Sequence, residues 1–175
     1  SLQSYFTDRV EKILSKNGKK LIGWDEIIEG GLNKNAIVMS WRGEKGGITA
    51  TKAGNKAIMT PTSHLYFDYY QAKSGEPIAI GGLIDLEKVY SYEPVPKGLD
   101  INQASRIMGA QGNIWTEYIK TPDKVEYMGV PRMTALSEVV WSKRKPRNFN
   151  EFKKRLNFYR YFLDLKEMNY REKSF

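Results

Sequence analysis

Three of the segments where this chain sets a carboxylate one or two residues after an aromatic ring stand out as candidate chemistry: Trp24-Asp25-Glu26, Tyr66-Phe67-Asp68 and Trp115-Thr116-Glu117. A fourth segment, Ser40-Trp41-Arg42-Gly43, sets a third indole beside a cation. An indole face packs on C–H-rich surface, and a carboxylate accepts hydrogen bonds from hydroxyl groups. Side by side, the two suit a sugar. Taken singly, Trp24 or Trp41 reads equally well as a core residue at the end of a strand. Three Trp residues among acids are harder to explain as a core. His64, which follows Pro61-Thr62-Ser63, is expected to be a hydrogen-bonded loop histidine near the site rather than a catalytic base.

These motifs need elements to hold them. Residues 1–17 put Leu2, Tyr5, Phe6, Val10, Ile13 and Leu14 on one helical face, and Asn17-Gly18 ends the pattern. Leu21–Trp24 reads as a short buried strand, Ala36–Ser40 as a second, Lys56–Thr60 as a third and Arg106–Ala110 as a fourth. Residues 47–53 are helix-compatible and stop at Gly54, a C′ glycine. Asp85 caps a short helix through Tyr90, and Thr121-Pro122 and Val130-Pro131 each read as a helix start with Pro at its first position. A last helix, about 150–166, carries Phe152, Leu156, Tyr159 and Leu163 on one face. Short apolar strands alternating with helical patterns imply βα units and a parallel sheet. A (β/α)₈ barrel takes about 250 residues, so four units in 175 residues predict half a barrel or a small open sheet. The half barrel fits better, because each chemical motif follows the C-terminal end of a strand, where such folds gather their sites. Residues 1–175 then form a single partial domain, with parallel strands inside and helices outside.

Composition narrows the chemistry. Cys is absent and there is one His, which excludes disulfides, thiolate metal sites and cysteine nucleophiles and makes a Ser-His triad or a histidine-rich metal site improbable. No apolar run approaches the ~20 residues of a membrane-spanning helix, so no membrane partner is expected. A formal charge of +8 permits binding to an anionic surface. Most of the excess lies on amphipathic stretches, 11–20 and 151–173, that read as solvated helix faces. The densest cluster, Lys143, Arg144, Lys145 and Arg147, lies in a Pro-containing turn. No nucleic-acid partner is expected. The chain opens with Ser1, and the expectation is a segment of something longer, with any targeting signal outside it.

The motifs also carry a resemblance. Gly23–Glu26, Ser40–Gly43, Tyr66-Phe67-Asp68-Tyr69-Tyr70-Gln71 and Gly109–Glu117 resemble, in order and spacing, the second half of the catalytic barrel of glycoside hydrolase family 20, the β-N-acetylhexosaminidases. Val130–Met133 through Ser137–Ser142 is similar to the family's closing helix, where Trp141 is expected to make ordinary helix-to-barrel packing. The resemblance implies the C-terminal half of a (β/α)₈ TIM barrel. It implies that Trp24, Trp41 and Trp115 box the methyl of the substrate's 2-acetamido group and that Tyr66 hydrogen-bonds the acetamido oxygen. Asp68 and Glu117 would bind hydroxyls on the far side of the ring.

Family members use the substrate's own acetamido oxygen as nucleophile, with an oxazolinium intermediate and net retention, a departure from the two-carboxylate scheme. The implied reaction removes terminal β-linked N-acetylhexosamine from glycans, with no metal or organic cofactor. The family's His-x-Gly-Gly-Asp-Glu motif, with its general-acid Glu and acetamide-orienting Asp, does not occur here, nor does its early substrate-binding Arg. The adjacent pair Asp25-Glu26 belongs by resemblance to a later strand. The chain by itself is therefore expected to be inactive, and to pair with the N-terminal half of the barrel or with itself. A non-catalytic N-acetylhexosamine-binding module is the alternative. By resemblance the compartment would be periplasmic, extracellular or lysosomal.

Overall fold

The computed structural model describes residues 1–143 and 146–175; Arg144 and Lys145 of the basic cluster lie outside the described residues. The fold is mixed α/β. Its residues gather into two compact units, one of Ser1–Thr62 with Pro94–Gln111, the other of Ser63–Glu93 with Gly112–Phe175.

The first unit contains the sheet. Helix α1 (Leu2–Lys16) is followed by β1 (Ile22–Trp24), a 3₁₀ turn (Asp25–Ile28), β2 (Ile37–Ser40), α2 (Lys45–Lys52) and β3 (Lys56–Met59). The chain returns to this unit with the one-turn helix α4 (Ile101–Ala104) and β4 (Ile107–Ala110), after α3 (Leu86–Ser91) of the other unit. All four strands are parallel and lie in sequence order, β1-β2-β3-β4. Val38, Ala50 and Ala57 are fully buried between β2, β3 and α2, with Ile27, Ile28, Leu32 and Ile107 against them. The Gly54 stop is as expected. Its φ is +92°, a conformation open to glycine, and the Gly54 and Asn55 amides close back on Thr51 and Ala50 in a Schellman arrangement. Helix α4 escaped the periodicity reading because it is one turn long, although Asp100 and Gln103 form a reciprocal capping box that the spacing advertises.

Two expectations for this unit need correction. Strand β1 is not buried: it is an edge strand, and Ile22 is 49% exposed. The apolar face of α1 exists, but Leu2, Tyr5, Phe6 and Ile13 are exposed. Of that face only Val10 and Leu14 are half-buried, and the rest of what α1 turns inward is polar. Glu11 is buried, and Gln3 and Ser4 donate to the Glu26 and Glu29 carbonyls of the 3₁₀ turn.

The second unit is mainly helical. Besides α3 it contains α5 (Pro122–Gly129), α6 (Arg132–Trp141) and α7 (Phe149–Leu165). Asp85, Thr121 and Asn148 cap α3, α5 and α7 through their side chains, the pairing that satisfies orphan helix N–H groups. Pro122 sits inside the start of α5 as expected, whereas Pro131 is the N-cap of α6, one position earlier than expected. Trp141 makes no helix packing: it is 89% exposed. The inward stripe of α6 is Arg132, Ala135, Leu136 and Val139, and two residues past Val139 is about 200° around the helix. On α7, Phe152, Leu156 and Leu163 are buried as expected, while Tyr159 is 41% exposed.

Candidate functional site

In the first unit, β1 and β2 deliver two of the expected residues. Trp24 ends β1 and Trp41 follows the last residue of β2, and both indoles are half-buried. The two acids after Trp24 turn back on the segment around Trp41. Asp25, 2% exposed, accepts the backbone N–H groups of Trp41 (3.2 Å) and Arg42 (3.3 Å) at Oδ2, and the Arg42 Nε–H at Oδ1 (2.6 Å). The Arg42 Nη1 reaches Glu29 at 3.0 Å. The Trp41 indole N–H donates to Glu26, with its nitrogen 3.0 and 3.1 Å from the two carboxylate oxygens.

The turn after Trp41 is held as tightly. Ser40, fully buried, donates to the Gly43 carbonyl at 2.6 Å and accepts the Gly47 N–H at 2.9 Å. A side chain at Gly46 would bring its Cβ to 2.7 Å from the Asp25 Cβ. Asp25-Glu26 thus supports a loop, a role that the one-dimensional spacing of two adjacent acids does not reveal.

The other four expected residues, Tyr66, Asp68, Trp115 and Glu117, lie in the second unit. Two segments meet there in a short parallel bridge, Tyr66 beside Asn113, closed by Phe67 N–H to Asn113 O (2.6 Å) and Asn113 N–H to Leu65 O (2.8 Å). Gly112 permits this approach, since a Cβ there would lie 2.5 Å from the Phe67 ring. The side chains of Trp115 and Asn113 hydrogen-bond the Tyr66 phenol, and burial raises the phenol above its ordinary pKa, so it stays protonated at neutral pH.

Asp68 is 3% exposed, and its Oδ1 is buried without a hydrogen-bond partner among the described residues. Burial raises its carboxyl above the ordinary value. The backbone N–H groups of Asp68 and Trp115 work against that shift, the negative charge of Glu117 adds to it, and Arg132 opposes it. Glu117 is exposed and is the more accessible acid.

Two residues without an assigned role prove central to this unit. Asn113 is 5% exposed and joins the Tyr66 and Trp115 segments. Arg132, wholly buried, spreads its guanidinium over the carbonyls of Phe67, Tyr69 (3.1 Å), Ile84 (2.9 Å) and Met128 (2.6 Å from Nη2), and lies 5.1 Å from the Phe67 ring centroid. Burial brings its pKa down to about 9, so it remains a cation at neutral pH. A fork of five donors can serve several carbonyls at once, and three of those served here flank Asp68 or lie on the next loop. Both residues fall inside recognisable motifs, but a contact across so many positions leaves no local signature.

His64 accepts or donates at Nδ1 to Ser63 Oγ, 2.8 Å away, and its ring lies 5.1 Å from that of Tyr92. Burial, then the nearby Lys88 charge, lowers its pKa. No group of three His, Asp or Glu side chains that could hold a metal occurs among the described residues. No helix among the described residues is long and apolar enough to cross a membrane. A protonated phenol, two acids and indole surface are the means of binding and orienting a polar ligand.

The catalytic domain of glycosyl hydrolase family 20 matches residues 1–144. A beta-hexosaminidase of Porphyromonas gingivalis (strain ATCC BAA-308 / W83) is 47% identical over 171 residues, covering 97% of this chain and 22% of that protein. One from Vibrio furnissii is 32% identical, covering 78% of this chain and 23% of its own length. Among solved structures, the family 20 exo beta-N-acetylglucosaminidase of Vibrio harveyi in complex with N-acetylglucosamine superposes with a TM-score of 0.85 at 32% identity, covering 98% of this chain and 27% of that one. The chain therefore spans about a quarter or less of the length of these relatives. With residues 1–144 of its 175 matched by the family's catalytic domain, this chain belongs to glycosyl hydrolase family 20.

Proposed function

We propose that the chain is the C-terminal half of a (β/α)₈ catalytic barrel in a β-N-acetylhexosaminidase that removes terminal β-linked N-acetylhexosamine from glycans. In this reading Trp24 and Trp41 of the first unit, and Trp115 of the second, are apolar walls for the acetamido methyl. Tyr66 hydrogen-bonds the acetamido oxygen, and Asp68 and Glu117 accept sugar hydroxyls. The observation that carries the reading is the cluster in the second unit. Tyr66, Asp68, Asn113 and Trp115 come from two distant segments, yet Asn113 and Trp115 hydrogen-bond one protonated phenol and Asp68 accepts the Trp115 backbone N–H beside it. The 47% identity to a beta-hexosaminidase supports the chemistry assigned to it.

The substrate's acetamido oxygen attacks the anomeric carbon as the glycosidic bond breaks. The leaving oxygen takes a proton from a general acid, which the Asp-Glu motif absent from this sequence would supply. Water then opens the oxazolinium at the anomeric carbon and restores the acetamide with net retention. The chain's own residues lower the barrier by orientation. Holding the acetamide near its line of attack converts a loose encounter into an intramolecular one, worth up to about 7–11 kcal/mol in ideal cases. The Tyr66 hydroxyl orients the amide as charge redistributes over it, the kind of fixed dipole that gains strength where water is excluded.

The test compares hydrolysis of a chromogenic N-acetyl-β-glucosaminide by the 175-residue chain and by a polypeptide extended at its N-terminus to include the Asp-Glu motif. The extended protein is expected to turn over. The short chain should be slower by at least the general-acid factor of about 10²–10⁴. Binding without turnover by the extended protein would leave a sugar-binding module instead, and equal rates would remove the half-barrel reading.

A further inference from the structure

We propose that Glu26 is a positioning residue which fixes the plane of the Trp41 indole and so sets the size of N-acyl group that the sugar site accepts. The inference rests on the reading of Trp41 as a wall of the acetamido pocket.

Trp has one polar atom, a donor that points along one edge of the ring. In this chain that donor faces a carboxylate, with both oxygens of Glu26 within 3.1 Å of Nε1. A half-buried indole N–H would be equally satisfied by a backbone carbonyl or by water. A charged acceptor makes a bond roughly twice as strong as a neutral one, and the extra strength resists rotation of the ring. Turning the indole over about its Cβ–Cγ bond would point Nε1 away from the carboxylate and lose that bond. The residue next to Glu26 holds the other end of the same Trp: Asp25 accepts the Trp41 backbone N–H at 3.2 Å. Glu26 is itself anchored, since its carbonyl accepts the Gln3 side chain of α1 at 3.1 Å. Two consecutive acids of one 3₁₀ turn thus clamp Trp41, Asp25 by its backbone and Glu26 by its ring. Of these two contacts, the one to Glu26 bears on the angle of the indole face.

A wall held at a fixed angle discriminates by size. One methylene more or less in an apolar pocket changes kcat/KM by about 10- to 200-fold, and that ratio shrinks if the wall can swing aside. The experiment measures kcat/KM of the complete enzyme on aryl glucosaminides carrying N-acetyl or N-propionyl groups. Glu26→Ala is expected to reduce the acetyl-over-propionyl preference by about fivefold or more, whereas Glu26→Gln, which keeps a weaker, neutral side-chain acceptor, should reduce it by a clearly smaller factor, about two- to threefold. In a Trp41→Phe background, which removes the indole N–H, adding Glu26→Ala should leave the preference unchanged, because the coupling runs through that group. A second measurement is the ¹H–¹⁵N signal of the Trp41 indole, assigned by its loss in Trp41→Phe. It should shift in Glu26→Ala while the other indole signals stay in place.

Equal loss on both substrates in Glu26→Ala, or the same change in preference with and without the Trp41 indole, would overturn the inference. Should Trp41→Phe alone leave both the preference and KM untouched, Trp41 does not wall the sugar site, and the pocket reading fails together with this one. A preference that moves in Trp41→Phe but not in Glu26→Ala overturns the role of Glu26 and leaves the pocket standing.

Discussion

Asp68 is held at odds with its own charge. Its carboxylate is buried, one oxygen has no partner among the described residues, and burial raises its pKa. An acid whose folded pKa lies above its unfolded value binds its proton more tightly when folded. Its contribution is therefore most favourable below the ordinary value of 3.8 and is lost as pH rises through the raised folded value. Asp68→Asn removes that penalty and keeps an oxygen for the backbone N–H groups. At pH 7 the variant is expected to melt at a temperature equal to or above that of the parent. The advantage should fade as pH falls below the ordinary carboxylate range, while turnover by the complete enzyme drops. Melting curves across that range check it, and a variant uniformly less stable at every pH would contradict it. Under the proposed function such a residue is kept at a cost to folding, which is how a binding acid would differ from a core residue. At this scale the sequence was readable in part. The aromatic and acidic residues stood out by type, and their places held for Trp24 at the end of β1 and for Trp41 and Trp115 after β2 and β4. The tasks of Asp25 and Glu26 did not stand out, because their partners lie 15–17 positions away, across a strand rather than along one.

At the scale of elements, α6 shows how a helix can be bound to its neighbours by polar groups as well as by its apolar stripe. Arg132 at its start serves the carbonyls below Asp68, and Glu138 near its end joins α3 and α7. The Glu138 carboxylate accepts the Tyr90 hydroxyl at 2.7 Å and the Arg155 guanidinium at 2.5 and 3.1 Å. Burial acts to raise the Glu138 pKa, but the hydrogen bonds from Arg155 and then Tyr90 outweigh it and hold the carboxyl below its ordinary 4.5. With the folded value depressed, the contribution is present above 4.5 and is lost as pH falls through the folded value. Glu138→Gln is expected to cost about 1–2 kcal/mol at neutral pH, a difference that urea titrations should show closing below pH 4.5. A cost independent of pH would mean that the site acts through shape alone.

Helix starts were legible at Asp85 and Thr121, where a side-chain cap marks a helix longer than one turn, but not at Asp100, which caps the single turn of α4. The direction of burial was less so. Trp141 continues the apolar pattern of α6 in one dimension yet emerges on the opposite face, since the inward stripe begins with a charged residue, Arg132. Periodicity read from apolar residues alone misses a helix whose most buried member is an arginine.

For the molecule as a whole, the parallel sheet and the strand order followed from counting βα units, but what covers the apolar surface did not. Strands β1 and β4 are the outer members of the sheet, and each has neighbours on one side only among the described strands. All-parallel sheets are found almost only with their surfaces covered, and open edges are templates for pairing. In the first unit, Leu2, Phe6 and Ile13 of α1 are 84%, 67% and 59% exposed. In the second, Trp141, Phe158, Tyr161 and Leu165 are 89%, 74%, 65% and 65% exposed. Single exposed apolar residues are ordinary, whereas runs of large ones along a helix mark surfaces that a neighbour covers. Within the half-barrel reading, the remaining βα units would close the strand edges, since a closed barrel has none. The 175-residue chain on its own is therefore expected to self-associate as its concentration rises and to bind a dye specific for exposed apolar surface. Light scattering after size exclusion should give a mass above the 20.2 kDa of one chain, and the extended polypeptide should lose both properties together. A 20.2 kDa species that stays monomeric, unfolds cooperatively and ignores the dye would show that the chain covers its own apolar surface, and the half-barrel assignment would have to be given up.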